Sequence, residues 1–296
     1  RMAASGGATT KLWRKFQREY VRAAVKEGVR PDGRSALRCR PVEVGLVRGE
    51  REAVAEVKFG AATQCLGFAR CEVQAEGEAA VLVSLDVAAH LGEPEWAVEA
   101  SRVVYSVLSR SVDRDALTVV AGASAWALSV HVHVLAVDGN VVDCAILAAM
   151  AAVRHVRRAK KTGATDPASP PTEQFASADV AEATPVPLVR APLTVTVAAF
   201  EGSLVLDPTD LEEASADATV TVSLDAHGRV LGLTKLAGDA IPSGLLRTCA
   251  AAAAHRATDL HRLLDAYLLR ADDDWREARV ARLLKQQSAP APPPSQ

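Results

Sequence analysis

The stretch Asp138-Gly139-Asn140-Val141-Val142-Asp143-Cys144-Ala145, downstream of the apolar segment Val119-Val120-Ala121-Gly122, decides the fold. It predicts a tight Asp-Gly-Asn turn after a strand and then a helix of small residues. Such a turn aims a helix N-terminus at a cleft, where backbone N–H groups favour an anion. Val141 and Val142 follow the turn and carry neither charge nor a hydrogen-bonding side chain. The pattern therefore predicts an anion-binding frame without the side chains that would hold the anion.

The composition limits which classes of protein this chain can belong to. The chain has 296 residues, enough for one large domain or two modest ones, with 49% apolar and 24% charged residues. Aromatic residues make up only 4%, so we expect a core of Ala, Val and Leu and few platforms for base stacking. The net charge of −2 means that any nucleic-acid contact must come from a local patch among the 34 basic residues.

Cysteine usage and hydropathy exclude several other classes. The five cysteines are odd in number and show no C-x-x-C spacing, which favours reduced thiols over a disulfide or metal framework. No run of 18 apolar residues is present, so we expect no membrane span. The first residues lack the apolar segment of a secretion signal. The cysteines are Cys39, Cys65, Cys71, Cys144 and Cys249.

The first half of the chain predicts a helix, a sheet and a further helix. Helical spacing over 11–27 ends at Gly28, before the turn signal Arg30-Pro31-Asp32-Gly33-Arg34. From 41 to 90, alternating segments predict an antiparallel meander, and 95–111 returns to helical spacing. Strand patterns over 117–121 and 126–137 and a helix over 141–157 follow.

The second half repeats the order of strands and then a helix. Strands are predicted at 193–200, 203–206, 218–224 and 230–236, and a long helix from Pro242 to about 286. We therefore predict an N-terminal helix and leader (1–27), a first subdomain (28–158), a linker (159–184), a second subdomain with the long helix (185–286) and a disordered tail (287–296).

The order of these motifs resembles the RNase PH family. The turn 30–34 is similar to the family's N-terminal signature, and the quoted stretch at 119–143 is followed by Pro185-Val186-Pro187-Leu188 and Leu206-Asp207-Pro208-Thr209. Within the family, the chain most resembles the eukaryotic RNA exosome ring subunit of the polymyositis/scleroderma autoantigen type, over about residues 12–270.

The resemblance implies an α+β RNase PH fold: two subdomains of β-sheet and helices, the first similar to ribosomal protein S5 domain 2, and a long C-terminal helix. It implies membership of a six-membered ring of RNase PH-type exosome subunits, with cap subunits, associated nucleases and single-stranded RNA as partners. It also implies a place in the nucleus, nucleolus and cytoplasm, and a role in RNA processing and degradation, rRNA processing included.

The resemblance also bears on catalysis. Active members of the family hold phosphate with a Gly-(Ser/Thr)-Arg sequence, whose last two positions fall on Val141 and Val142 here. Phosphorolysis brings two anions together and requires positive charge and hydrogen-bond donors. We therefore expect a non-catalytic subunit. The alternative is an active phosphorolytic 3'-5' exoribonuclease, or half of a composite site.

Acidic residues downstream are the evidence for that alternative. Asp217 matches best the aspartate that active members use as a general acid or metal ligand, so we take it as a vestigial catalytic candidate. We favour a solvated loop and strand edge over a metal site at Asp207, Glu212 and Asp217. The acidic cluster comprises Asp207, Asp210, Glu212, Glu213 and Asp217.

The remaining motifs give weaker signals. His131 and His133 share one strand face and could hold zinc, but no third ligand stands out, so we expect packed or hydrogen-bonded histidines and no metal. Gly122 and Gly139 form neither a P-loop nor a dinucleotide fingerprint, and we expect no cofactor.

For RNA, the resemblance to ring subunits indicates Arg102, Arg110 and Arg114, on or after the 95–111 helix, as phosphate contacts. The competing interpretation is an ordinary solvated or subunit-contacting face. The basic cluster between 154 and 161 is a second candidate, which an exposed helix end explains equally well.

Overall fold

A computed structural model describes residues 5–49, 51–74, 78–92, 94–120, 124–158 and 183–287. Most of the predicted linker and the predicted tail lie outside these residues, as does Gly122. The helices are α1 (Ser5–Lys26), α2 (Trp96–Ser111), α3 (Val141–His155), α4 (Asp210–Ser215) and α5 (Ser243–Gln287). Short 3₁₀ turns lie at Ala89–Leu91 and Asp115–Leu117.

The strands of the first half are β1 (Val42–Arg48), β2 (Glu52–Phe59), β3 (Thr63–Gln74), β4 (Ala80–Val87), β5 (Thr118–Val120) and β6 (Ser124–Ala136). They form one sheet in the order β1-β2-β3-β6-β4, with β5 paired to β6. The predicted meander is correct for β1 to β3 and wrong for β4, which pairs parallel to β6. Because α2 and the following turn cross over between β4 and β6, the two strands run in the same direction.

In the second half, β9 (Leu193–Phe200), β10 (Ser203–Leu206), β11 (Ala218–Leu224) and β12 (Val230–Gly238) form an antiparallel sheet in the order β10-β9-β11-β12. These four strands confirm the predicted ones. A two-residue pair, β7 (Arg157–Arg158) with β8 (Thr184–Pro185), precedes this sheet.

Helix α3 is the centre of the core. All its residues except Arg154 are buried, and it contacts β2, β3 and β9, so both sheets pack on it. Gly67 on β3 allows this approach, because a Cβ there would lie 2.3 Å from the carbonyl oxygen of Ala148. Alanines along α3 allow the same closeness from the other side, and the expected Ala/Val/Leu core is confirmed.

The long helix α5 confirms the predicted one. Its buried apolar residues lie at helical spacing and join the main core; they are Cys249, Ala253, Ala257, Leu260, Leu264 and Leu268. Further along, Trp275 contacts Arg48 of β1 by a cation–π interaction, with the guanidinium carbon 4.2 Å from the ring centroid. No helix in the described residues is both long and apolar enough to span a membrane.

Candidate functional site

The turn at Asp138–Asn140 joins β6 to α3 and carries the backbone conformation that the sequence predicts. Gly139 (φ 71°) and Asn140 (φ 54°) both adopt the left-handed conformation. A Cβ at Gly139 would lie 2.4 Å from the backbone nitrogen of Asp210, so only glycine permits this contact. The turn is thus packed directly against the start of α4.

Val141 and Val142 occupy the first turn of α3 and line a cavity of about 610 Å³. Both side chains are largely buried, 8% and 6% exposed. Trp96, Val137 and Leu236 add further apolar wall. The position where the family resemblance places phosphate-binding side chains is therefore an apolar surface.

The same cavity carries four carboxylates and, within the described chain, no lysine, arginine or histidine lines it. Glu95 is the residue before α2, and Glu99 lies in the first turn of that helix. Asp210 and Glu213 lie on α4. A phosphate ion entering the cavity would be repelled by the charges of Glu95, Glu99 and Asp210, while Glu213 adds a carboxyl group that holds its proton up to a pKa of about 8. The geometry therefore disfavours an anion here more strongly than the two valines alone would.

The carboxyl group of Glu213 lies at the N-terminal end of α3. The backbone N–H of Asn140, the N-cap residue of α3, donates a 2.8 Å hydrogen bond to its Oε1. Burial raises the pKa of Glu213 to about 8, against the lowering effect of that hydrogen bond. A carboxyl group of the protein itself thus accepts the hydrogen bond from this N–H, where both residues line the cavity.

A capping box builds α4 and places Glu213. The Thr209 hydroxyl accepts a hydrogen bond from the Glu212 backbone N–H, and the Glu212 carboxylate accepts one from the Thr209 N–H. The sequence carries this Thr-x-x-Glu signature, which would have predicted the helix. The expectation of a solvated loop for this stretch is wrong, because Glu212 is fully buried.

Three arginines from residues 30–40 form ion pairs with Asp207, which precedes α4, and with Glu212 on α4. Arg30 pairs with Glu212 through two hydrogen bonds of 2.8 and 2.6 Å, both side chains being buried. Arg40 and Arg34 both bind the Asp207 carboxylate. Burial raises the pKa of Asp207, but the hydrogen bonds and charge of Arg40 outweigh it, and the pKa falls to about 2.

Asp143 is a buried acid that sequence reasoning did not single out. It lies in the first turn of α3 and accepts hydrogen bonds from the backbone N–H (2.6 Å) and the hydroxyl (2.9 Å) of Thr196 on β9. Burial raises its pKa to about 6, although these hydrogen bonds favour the ionised form. It ties α3 to the second sheet.

Asp217, the vestigial catalytic candidate, does not line the cavity of Val141 and Val142. Its carboxylate lies 2.8 Å from the guanidinium of Arg22 on α1. The three acids of the metal alternative thus bind different arginines, since Asp207 pairs with Arg34 and Arg40 and Glu212 with Arg30. No group of three or more potential metal ligands is found in the described part of the chain.

Comparison with known proteins agrees with this architecture. The profile of the 3' exoribonuclease family, domain 1, matches residues 43–159, and that of domain 2 matches residues 191–256. The chain belongs to the 3' exoribonuclease family, the RNase PH family of the sequence analysis.

Relatives within this family are exosome components. Exosome complex component Rrp42 of Sulfurisphaera tokodaii is 32% identical over 235 residues, 74% of this chain and 82% of its own. Exosome complex component RRP45A of Arabidopsis thaliana is 28% identical over 277 residues, covering 85% of this chain and 86% of its own. The human RRP45 is 26% identical over 84% of this chain, which spans only 58% of that longer protein.

Solved structures of the family share the fold. A chain of an archaeal exosome core superposes with a TM-score of 0.69 at 24% identity, covering 87% of this chain and 99% of that one. A chain of the Archaeoglobus fulgidus exosome with RNA bound to the active site gives the same TM-score and identity. The expected α+β RNase PH fold is confirmed.

The two histidines of β6 have polar neighbours. On the exposed face of β6, His131 contacts the Ser84 hydroxyl at 2.7 Å, and His133 lies 3.9 Å from Asp86. These contacts fit hydrogen-bonded histidines. All five cysteines are free.

The structure places the three predicted RNA-contacting arginines in different surroundings. Arg102 is exposed and pairs with Glu99 at 3.1 Å. Arg110, at the end of α2, lines a second cavity with Arg190. Arg114 is exposed and is the residue before the 3₁₀ turn Asp115–Leu117. The set is spread along one helix and its end.

Proposed function

We propose that this chain is a non-catalytic structural subunit of the RNA exosome ring, which contributes to assembly and RNA threading for 3'-5' RNA processing and decay. The observation that carries the proposal is the cavity at the start of α3. It presents Val141 and Val142 together with four carboxylates, and no cation of the described chain lines it.

The chemistry of phosphorolysis explains why this cavity matters. The reaction needs a phosphate ion held against a phosphodiester, and removing one electrostatic donor from such a site commonly costs about 100- to 1000-fold in rate. Here valines stand in place of the donors, and Glu213 lies at the helix N-terminus. The other three carboxylates that line the cavity, Glu95, Glu99 and Asp210, repel the attacking anion, which supports inactivity.

The relatives support the partners that we propose. Because the relatives are named exosome components, we assign this chain to a six-membered ring with other RNase PH-type subunits, cap subunits and associated nucleases. We place the complex in the nucleus, nucleolus and cytoplasm. Single-stranded RNA is the polymer that would pass through it, with Arg102, Arg110 and Arg114 as phosphate contacts.

A direct assay tests the catalytic part of the proposal. The purified chain, alone and assembled with its partner subunits, is incubated with uniformly labelled single-stranded RNA and inorganic phosphate, and the released labelled nucleoside diphosphates are measured. We expect no release by the chain alone. Phosphate-dependent release by the lone chain would overturn the proposal and favour the active exoribonuclease.

A second assay tests the RNA contacts. The triple variant R102A/R110A/R114A is compared in the assembled ring with a charge-matched triple, R229A/R262A/R276A, whose arginines each pair with a neighbouring aspartate on the surface. For single strands, the salt slope of the affinity falls by about 0.7 for each RNA phosphate that the protein no longer neutralises. If the two triple variants retain RNA equally, Arg102, Arg110 and Arg114 are not RNA contacts.

A further inference from the structure

A second cavity, of about 260 Å³, is opposite in charge to the first. It lies between the end of α2, the segment before β9 and the β11–β12 hairpin. Two arginines, Arg110 and Arg190, line it together with the hydroxyls of Ser106, Ser223 and Thr234. No aspartate or glutamate of the described chain is among its lining residues.

The backbone holds Arg190 beside the end of α2. The N–H of Asp113 donates to the carbonyl of Pro187, and the N–H of Val189 donates to the carbonyl of Ser111 at 2.8 Å. An isolated bridge between Val112 and Leu188 continues this pairing. These bonds also cap the carbonyl of Ser111, which reduces the negative potential that a helix C-terminus would direct at an anion. Residues of both halves are thus joined at one site.

Both guanidinium groups are available for a ligand. Arg110 and Arg190 are exposed, and neither forms an ion pair with any described residue. By contrast, Arg102 on the same helix pairs with Glu99, and Arg229, just before β12, pairs with Asp225. Two unpaired cations and several hydroxyl donors around one cavity form a suitable environment for an oxyanion.

We propose that this cavity binds a phosphate group of single-stranded RNA and that Arg190 is an RNA contact in addition to Arg110. This inference rests on the proposed function for its ligand, but assigns a residue and a cavity that the function alone does not. The cavity is smaller than ordinary small-molecule pockets of about 300–1,000 Å³, so it admits one phosphate with its adjoining ribose. Pro192 and Leu231 supply an apolar wall for the sugar.

The test uses the assembled ring and a fluorescent single-stranded oligoribonucleotide. Anisotropy titrations at several salt concentrations compare R190A and R190K with R262A, an exposed arginine on α5. We expect R190A to weaken binding about tenfold at low salt, R190K to weaken it less, and R262A to match the parent. Arg190 and Arg262 both have exposed side chains, so we expect these variants to fold like the parent.

The outcomes separate the inference from the proposed function. If R190A binds like R262A while R102A/R110A/R114A binds more weakly, the Arg190 site is refuted and the RNA-guiding function stands. If the ring binds no RNA, both are refuted. Competition by inorganic phosphate in the parent but not in R190A would identify free phosphate as a ligand of the cavity; an R190A defect without competition identifies the phosphodiester.

Discussion

The carboxyl group of Glu213 gives the sharpest prediction. It lies at the N-terminus of α3, lines the acidic cavity and has a pKa raised by burial from 4.5 to about 8. In the unfolded chain it ionises near 4.5. The folded protein therefore binds one more proton than the unfolded chain between these values, and its stability falls as pH rises through this window.

Glu213→Gln removes this pH dependence. Glutamine keeps an Oε1 that can accept the hydrogen bond from Asn140, but it cannot ionise. The difference between pKa values of 4.5 and about 8 corresponds to at most about 5 kcal/mol. Because the Glu213 side chain is only partly buried, solvent screening reduces this value, and we expect about 2 kcal/mol. The variant should match the parent near pH 5 and exceed it by this amount at about pH 9.

Urea unfolding at a series of pH values measures the effect. Glu95→Gln is the matched control, because it removes a carboxyl group that lines the same cavity from an exposed position. If the stability curves of Glu213→Gln and the parent stay parallel from acid to alkaline pH, Glu213 ionises like a solvated carboxyl. The argument that a partly buried, proton-holding carboxyl group lies at the N-terminus of α3 then fails.

Three further substitutions test the packing. Gly67→Ala forces a Cβ into the backbone of α3 and should destabilise by at least about 2 kcal/mol in chemical unfolding, whereas an unchanged midpoint would show that β3 and α3 can separate without cost. Arg30→Met leaves the Glu212 carboxylate buried and unpaired and should cost about 3–5 kcal/mol; adding Glu212→Gln should recover part of the loss, and no recovery would contradict the pairing. Trp275→Ala removes the partner of Arg48 and should lower the melting temperature by the equivalent of about 1–2 kcal/mol, a loss that Trp275→Phe should reduce.

The strands and helices could be predicted where the periodicity of apolar residues agreed with the positions of turn and helix-boundary residues. On β6 the apolar series from Trp126 to Val134 is buried and the two histidines face outward, as alternation predicts. The long helix α5 begins one residue after Pro242. The position of β4 was not predictable in the same way, because strand pairing depends on which edge a crossover reaches, and local sequence does not encode that.

The site was half predictable. The valines after the turn follow from the sequence alone, but the acids that face them come from α2 and α4, far away along the chain. Asp217 has the right spacing for the resemblance, yet the fold directs it to Arg22. Spacing identifies candidates, whereas tertiary contacts decide which of them share a cavity.

The contacts around the acidic cavity explain how Glu213 is held at the N-terminus of α3. Loss of the donors alone would leave a neutral cleft in which the N-terminus of α3 still favours an anion. Instead, Arg30 and Arg40 hold Glu212 and Asp207 in buried ion pairs, and this fixes the start of α4 so that Glu213 reaches the N–H of Asn140. Both arginines form ion pairs with carboxylates of the chain itself, so their charges are neutralised inside the fold. The position of Glu213 is therefore set by the folded core, and we expect that substituting the valines alone would leave Glu213 in place.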